Sequence, residues 1–142
     1  VTKQGISSVV ATRGNDSCHV ILRGGSIRSN YDAAAVDRTT AALRAAGLMD
    51  RLMVDCSHGN SRKKPDLQLT AGRRIAAQVA AGSHAILGVM IESHLREGAQ
   101  VCEPGRPLTY GQSITDACIS WQTTGPLLEE LAAAVDRRRH AT

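Results

Sequence analysis

The chain has 142 residues, of which 42% are hydrophobic and 21% are charged, an ordinary composition for a soluble globular protein. A chain of this length fits one domain and can bury roughly 68 to 70% of the surface that it exposes when unfolded. The net charge of +4 favours anionic partners, but with only 2% aromatic residues few rings can stack on bases. Phosphorylated small molecules explain the same charge equally well, and no nucleic-acid partner is expected.

The four cysteines contain no CxxC pair, and no secretory signal precedes them. Reduced thiols in a cytoplasmic protein are the expected state. No apolar run is long enough to span a membrane, so no membrane partner is expected. The chain opens at Val1 rather than at Met and has no polar leader, which suggests a cut or processed chain.

The N-terminal part is predicted to form a hairpin, or a strand interrupted by a loop, and then a helix. Residues 9–11 and 18–22 have the composition of strands, and the turn-forming Gly-Asn-Asp segment at 14–16 separates them. A helix is predicted over residues 32–46, because its alanines favour helix and either Asn30 or Asp32 can cap its start. Gly47 follows where a left-handed residue is expected to end the helix.

Strands and helices then alternate along the middle of the chain. Residues 52–56 form a predicted strand, residues 66–81 a helix after Pro65, and residues 85–91 a third core strand. Short connections and nearly continuous apolar strands favour parallel pairing with helices outside. The predicted fold class is α/β, with about three parallel strands, outer helices and the N-terminal hairpin.

The last third of the chain is predicted to hold a long loop and two helices. The loop follows Glu92, and its length is typical of functional or mobile segments. The first helix covers residues 113–121 and begins with the capping-box pattern Ser-Ile-Thr-Asp at 113–116. The second helix is opened by Thr-Gly-Pro at 124–126 and carries an apolar leucine face.

The three predicted strands each lead into a group that can do chemistry. They end near a cation, Arg23, an imidazole, His58, and a carboxylate, Glu92. Strand alternation places Glu92 on the same side as Ile86 and Met90, so that it and His58 can both point inward. Joined by another acid such as Asp116, they would suit a catalytic divalent cation: Mn, Fe, Co or Zn.

Each of these residues also has a purely structural interpretation. His58 can be a hydrogen-bonded histidine and Arg23 a member of an ion pair, as readily as functional groups. An unpaired charge on Glu92 would be costly at the end of an apolar strand, which favours a metal or cationic partner. A helix cap is the favoured role of Asp116, and Cys56 is favoured as an apolar filler over a second ligand.

Several longer motifs occur in one order along the chain. They are VTKQG at 1–5, CHVILRGG at 18–25, NYD at 30–32, DCSHGNS at 55–61, GVMIESHL at 88–95 and LTYGQSITDACI at 108–119. In these motifs the chain closely resembles the type I 3-deoxy-D-arabino-heptulosonate 7-phosphate (DAHP) synthases, the first enzymes of the shikimate pathway. The resemblance covers essentially the whole chain and is far more specific than a single glycine motif.

The resemblance implies a (β/α)8 barrel that condenses phosphoenolpyruvate with erythrose 4-phosphate and uses one divalent metal. On this chain, His58, Glu92 and Asp116 match metal ligands, and Arg23 matches a contact to the phosphate of phosphoenolpyruvate. His58 and Arg23 are thereby implied to be catalytic. For the full-length enzyme, the resemblance implies a cytoplasmic homo-oligomer that binds these two substrates.

The chain also departs from the family pattern. It matches only the C-terminal part, about three of eight barrel strands, and lacks the cysteine ligand, the Lys-Pro-Arg segment for erythrose 4-phosphate and other Arg and Lys contacts to phosphoenolpyruvate. Ser26, Ser29 and Gln122 replace the family's common Lys, Pro and acid.

These departures lead to two expectations for residues 1–142. As one partial domain, the chain alone is expected to bind metal weakly, to have negligible synthase activity and to expose two unpaired sheet edges. The alternative function is a non-catalytic, partner-binding or regulatory remnant of the synthase barrel, and a generic phosphate-binding α/β domain comes third.

Overall fold

The computed structural model describes residues 3–9 and 11–141, and its centre is a three-stranded parallel sheet. The strands are β1 (Val20–Leu22), β2 (Leu52–Asp55) and β3 (Ile86–Met90), in the order β1-β2-β3. Parallel pairing places the carboxyl ends of all three strands at one edge of the sheet. The polar residues that follow the strands are therefore neighbours, as the α/β prediction requires.

Four helices accompany the sheet in the described part of the chain. They are α1 (Ala33–Ala45), α2 (His58–Ser61), α3 (Leu67–Ala80) and α4 (Trp121–His140). The first begins as predicted, because the Asp32 carboxylate accepts a hydrogen bond from the Ala35 amide at 2.9 Å. None of the helices in this part of the chain has the length and apolar character needed to span a bilayer.

The core lies between the sheet and the helices and is built from small aliphatic side chains. Gly72 of α3 allows the close approach of α4, since a Cβ atom there would lie 2.9 Å from Leu127 Cδ1. The buried cluster consists of Leu22, Val36, Leu52, Val54, Cys56, Ala71, Ile75, Ala76, Val79, Ile86 and Ala134. A chain with no Phe thus fills its interior by close helix packing.

A bulge in β3 changes which of its residues face the core. Met53 pairs with Gly88 although Leu52 pairs with Ile86, so one residue of β3 is extra. Ile86 is 7% exposed in the core, whereas Met90 is 37% exposed. The prediction that Ile86 and Met90 share a side is therefore wrong, because the extra residue reverses the alternation between them.

The predicted N-terminal hairpin is also wrong over the described residues. Val9 is exposed and outside any strand, as is Ala11, while Val10 lies outside the described residues. Residues 11–19 are all exposed, so no apolar face in this segment holds a second strand against the core. The strand is limited to β1, which pairs in parallel with β2.

The helix predicted over residues 113–121 does not form. Two short strands, β4 (Ser93–His94) and β5 (Ile119–Ser120), pair in parallel and hold the end of this segment extended. The Ser113 hydroxyl accepts a hydrogen bond from the Thr115 amide at 3.1 Å, which makes a local turn instead of a helix start.

The final helix starts earlier than predicted. Its N-cap is Ser120, whose hydroxyl accepts a hydrogen bond from the Thr123 amide at 3.2 Å. Pro126, expected near the first turn, lies inside α4. The cap and the preceding strand β5 thus set the start of this helix, and the proline does not.

Candidate metal and anion site

The centre of the site is the tight turn that follows β2. Asp55, which is 1% exposed, accepts hydrogen bonds through Oδ1 from the Ser57 amide at 2.8 Å and the Ser57 hydroxyl at 2.6 Å. Its Oδ2 lies 2.7 Å from Nδ1 of His58. Ser57 Oγ also lies 2.7 Å from Nδ1, but its proton is donated to Asp55. A proton on Nδ1 therefore satisfies both neighbours, and Nε2 then presents its lone pair to the other side.

The segment that carries His58 contains strained backbone. His58 opens α2 at a φ of 49°, and Arg62 and Lys63 follow the helix at 52° and 58°. The Lys63 amide donates to the His58 carbonyl at 2.9 Å and the Arg62 amide to the Gly59 carbonyl at 3.3 Å, closing the helix as a Schellman motif does. A left-handed backbone conformation costs about 1–3 kcal/mol for each non-glycine residue, and such residues cluster at functional sites.

Glu92 and Asp116 meet the imidazole of His58 from two other segments. Glu92 Oε1 lies 3.4 Å from His58 Nε2, and Asp116 Oδ2 lies 3.9 Å from it. One ligand-type atom from each residue lies within 4.8 Å of the other two. An imidazole nitrogen with two carboxylate oxygens suits Mn, Fe, Co or Zn, so the residues present fit a divalent cation.

The electrostatics of the cluster favour a bound cation as well. Burial raises the pKa of the Glu92 carboxyl above its ordinary value, and the charges of Asp116 and Asp55 raise that pKa further, while His58 and Lys63 oppose the rise. The pKa is raised because negative charge is crowded and partly desolvated here. A divalent cation between the carboxylates would relieve that repulsion.

Asp116 is held less firmly than the other two members. Its side chain is 40% exposed, and Oδ1 lies 3.4 Å from Nζ of Lys63. The interpretation of Asp116 as a helix cap is wrong, since residues 113–120 form no helix. The carboxylate is instead directed to the cluster.

Arg23, directly after β1, borders a basic cleft next to this cluster. Its Nε lies 3.9 Å from Asp55 Oδ2, and the side chain is 64% exposed. The cleft measures about 500 Å³ and is lined by Arg23, Gly24, Gly25, Ser26, Ile27, Arg28, His58, Gly59, Arg62 and Lys63. With cationic side chains and no acid among these lining residues, the cleft suits a phosphate or carboxylate group.

Two glycines allow the ends of β1 and β2 to come together. A Cβ atom on Gly24, at a φ of +76°, would lie 2.4 Å from the Asn60 nitrogen, and one on Gly59 would lie 2.7 Å from the Gly24 carbonyl carbon. The side-chain amide of Asn60 donates to the carbonyls of Leu22 at 3.0 Å and Asp55 at 2.7 Å. These hydrogen bonds join the segment that carries Arg23 to the segment that carries His58.

Sequence reasoning missed three supporting residues: Asp55, Asn60 and Gln68. Gln68 is 1% exposed; its Oε1 accepts from the Glu92 amide at 2.8 Å, and its Nε2 donates to the Glu92 carbonyl at 3.2 Å. For Gln68 the available signal was its position. It lies three residues before Ala71 and seven before Ile75, so this polar side chain is on the buried face of α3. For Asp55 the signal was an acid at a strand end shortly before a histidine.

Cys56 has the properties of a filler. It is completely buried, and burial raises the pKa of its thiol to about 12, with the charge of Asp55 adding to the rise. A thiol in this state stays protonated at neutral pH, whereas metal ligation needs the thiolate.

Comparison with known proteins identifies the family. The model of the DAHP synthetase I family matches residues 1–129, a range that contains the whole cluster and the basic cleft. The chain belongs to this family. The resemblance predicted from the motifs is therefore confirmed.

Curated relatives and a solved structure show the same family. The chain is 48% identical over 142 residues to phospho-2-dehydro-3-deoxyheptonate aldolase of Haemophilus influenzae, covering 100% of the chain and 39% of the relative. It is 50% identical over 139 residues to the Phe-sensitive enzyme of that name from Escherichia coli K12, covering 98% and 39%. A solved structure of the aldolase from Francisella tularensis SCHU S4 matches with a TM-score of 0.86 and 44% identity over 96% of this chain and 40% of that one.

The chain thus spans 39% of the length of these curated DAHP synthetase relatives. Coverage alone does not fix which part of them it is, so the assignment to the C-terminal part stays a prediction. The described residues likewise show a parallel α/β unit of this family, and the complete barrel stays a prediction.

Proposed function

We propose that this chain carries the metal-binding and phosphoenolpyruvate-binding side of a 3-deoxy-7-phosphoheptulonate synthase. The observation that carries the proposal is the convergence of His58, Glu92 and Asp116 within 4.8 Å, beside a basic cleft. Family membership and the names of the relatives, phospho-2-dehydro-3-deoxyheptonate aldolases, support the same reaction.

The proposed metal is one divalent cation, Mn, Fe, Co or Zn, held by His58 Nε2 and the carboxylates of Glu92 and Asp116. When bound, such a cation supplies Lewis acidity and a template for the aldehyde substrate. Asp55 Oδ2 lies 2.7 Å from His58 Nδ1 and favours the proton on that nitrogen, which leaves Nε2 of the neutral imidazole as the ligand.

Arg23 has the proposed role of binding the phosphate of phosphoenolpyruvate. Its planar guanidinium can donate two parallel hydrogen bonds to phosphate oxygens. Arg28, Arg62 and Lys63 add positive charge to the same cleft, which offsets the repulsion between two phosphorylated substrates. In the reaction, the enol carbon of phosphoenolpyruvate bonds to the aldehyde carbon of erythrose 4-phosphate, water adds to the other enol carbon, and inorganic phosphate leaves.

The sheet of this chain is proposed to be three strands of a (β/α)8 barrel. Among the described residues, β1 and β3 each pair only with β2, and Ile21 and Leu87 on these strands are 40% and 48% exposed. Further strands would cover these edges and bring the remaining metal ligand and substrate contacts. We therefore propose that the 142-residue polypeptide alone lacks synthase activity, and that the complete enzyme is a homo-oligomer.

The test is a condensation assay on the protein expressed at the full length that its gene encodes. With phosphoenolpyruvate, erythrose 4-phosphate and Mn²⁺, we expect heptulosonate phosphate to form, to stop after chelation and to return with added Mn²⁺. His58→Ala is expected to lower the rate at least ~100-fold. Its control is His84→Ala, an exposed histidine before β3 that is expected to keep the wild-type rate.

Two results would contradict the proposal. One is a full rate in His58→Ala, and the other is a rate that chelation leaves unchanged. The exposed strand edges favour a second function, a non-catalytic module that pairs with a partner. Metal-independent partner binding by a full-length protein without condensation activity would support that function instead.

A further inference from the structure

We propose that Gln68 is a positioning residue for Glu92, and that it sets the affinity of the site for its metal. The inference rests on the proposed function, because it takes Glu92 as a metal ligand. Gln68 itself lies in α3, and its two hydrogen bonds at the site are to the backbone of Glu92, through which it acts.

The side-chain amide of Gln68 forms hydrogen bonds with both the backbone N–H and the backbone carbonyl of Glu92. Its Oε1 accepts from the Glu92 amide at 2.8 Å, and its Nε2 donates to the Glu92 carbonyl at 3.2 Å. This is the pair of hydrogen bonds that a neighbouring strand would provide. The Ile119 amide donates to the same carbonyl at 3.0 Å, so α3 and β5 fix this residue together.

These bonds matter because Glu92 lies beyond the end of the sheet. β3 ends at Met90, whose carbonyl accepts from the Cys56 amide at 2.9 Å. Two residues later, the direction of the Glu92 side chain depends on contacts outside that sheet. That direction places Oε1 3.4 Å from His58 Nε2, within reach of a shared cation.

The burial of Gln68 supports this role. At 1% exposure it occupies the apolar phase of α3, where a primary amide is costly unless it is fully hydrogen-bonded. Methionine has a similar length and would fill the same space without the two bonds. Gln68→Met therefore removes both hydrogen bonds to Glu92 while it keeps the packing.

The chain offers a matched control on the same helix. Gln78 also donates its side-chain amide to a backbone carbonyl, that of Tyr31 at 2.8 Å, but at the other end of α3. Gln78→Met thus removes a hydrogen bond of the same kind, from the same helix, away from the cluster. If the role of Gln68 were only structural, Gln68→Met and Gln78→Met would bind Mn²⁺ with similar affinity.

The experiment measures Mn²⁺ binding by electron paramagnetic resonance, with thermal unfolding in parallel, on the full-length gene product. Partners that orient metal ligands typically contribute 10–100-fold in affinity. We therefore expect Gln68→Met to weaken Mn²⁺ binding about 10–100-fold, and Gln78→Met to stay within about twofold of wild type. Gln68→Asn, which keeps the amide but is one methylene too short, is expected to weaken binding as well.

The outcomes separate this inference from the function on which it rests. Wild-type affinity in Gln68→Met or Gln68→Asn would overturn the inference alone, as would an equal loss in Gln78→Met. A wild-type protein that binds no Mn²⁺ would overturn the proposed function and the inference with it. Weaker binding confined to the Gln68 variants would support both.

Discussion

The candidate site joins two regions that are held in place in different ways. The strand-end region, residues 22–25 and 55–61, is cross-bonded by Asp55 and Asn60, which are 1% and 4% exposed. The long loop, residues 95–118, brings Asp116, which is 40% exposed, and its residues 101–110 are all exposed. His58 is therefore held in place by the protein alone, whereas Asp116 has room to adjust.

The loop is ordered mainly by contacts with itself. Gln100 accepts from the Thr109 amide at 2.7 Å and donates to the Thr109 and Gln112 carbonyls at 2.8 and 3.0 Å. The two bonds to Thr109 are exposed, so they compete with water and open more easily than buried ones. The strand-end region is therefore expected to resist change, and the loop to tolerate it.

The largest contrast is expected in cysteine reactivity. Cys56 in the strand-end region is fully buried with a thiol pKa of about 12, whereas Cys102 in the loop is exposed. Since alkylation needs the thiolate, we expect Cys102 to react at least ~1000-fold faster with iodoacetamide at pH 8. Mass spectrometry of labelled peptides gives both rates, and both thiols should react in denaturant. Rapid labelling of native Cys56 would show that the strand-end region opens.

A glycine pair tests the same contrast through stability. Gly24 and Gly105 both have positive φ angles, of 76° and 78°, but a Cβ atom would clash with backbone only at Gly24. We expect Gly105→Ala to lose ~1 kcal/mol of unfolding free energy, and Gly24→Ala ~3 kcal/mol or more, because overpacking adds to the strain. Urea unfolding measures both losses. Equal losses would mean that the two strand ends are less tightly packed than the contacts indicate.

The strand-end region could be predicted largely from sequence because its signals are local. The Asp32 cap and Gly47, at a φ of 67°, set the limits of α1 within a residue of the prediction. The apolar runs located β2 and β3, and their parallel pairing followed from the helices between them. The geometry that brings Arg23 and His58 together follows from that topology.

The loop could not be predicted in the same way, since distant contacts decide its structure. The capping pattern at 113–116 gave way to the pairing of β5 with β4, about 25 residues apart along the chain. The left-handed backbone of His58 and the bulge in β3 could not be predicted either, because the alternation of apolar and polar residues shows neither of them. The contact from Gln68 to Glu92 spans 24 positions and appears only in the folded chain.

Within the strand-end region, Asp55→Asn is expected to weaken Mn²⁺ binding about 10–100-fold. The new amide can donate toward His58 Nδ1, which favours the tautomer with the proton on Nε2 and removes the ligand lone pair. Asp50→Asn is the control, because this acid pairs with Arg44 at 2.7 Å on the surface, away from the cluster. Titration with Mn²⁺ compares the variants. Unchanged affinity in Asp55→Asn would show that this carboxylate does not orient the imidazole.

The smallest effect is expected at the loop side of the site, and it has the opposite sign. Lys63 Nζ lies 3.4 Å from Asp116 Oδ1, and its side chain is 72% exposed. Lys63→Met removes one positive charge that competes with a cation for Asp116, so we expect Mn²⁺ binding to tighten, by up to about fivefold at low salt, since exposed ion pairs contribute little.

The design of this variant isolates the charge. Methionine would occupy the same left-handed backbone position, at a φ of 58°, so the strain stays unchanged. Lys64→Met is the neighbouring control, because Lys64 is exposed and does not line the basic cleft. The tightening should fade as ionic strength rises, since salt screens exposed charges. Weaker binding in Lys63→Met would mean that the ion pair holds Asp116 in position for the metal, and the loop would then be as finely positioned as the strand ends.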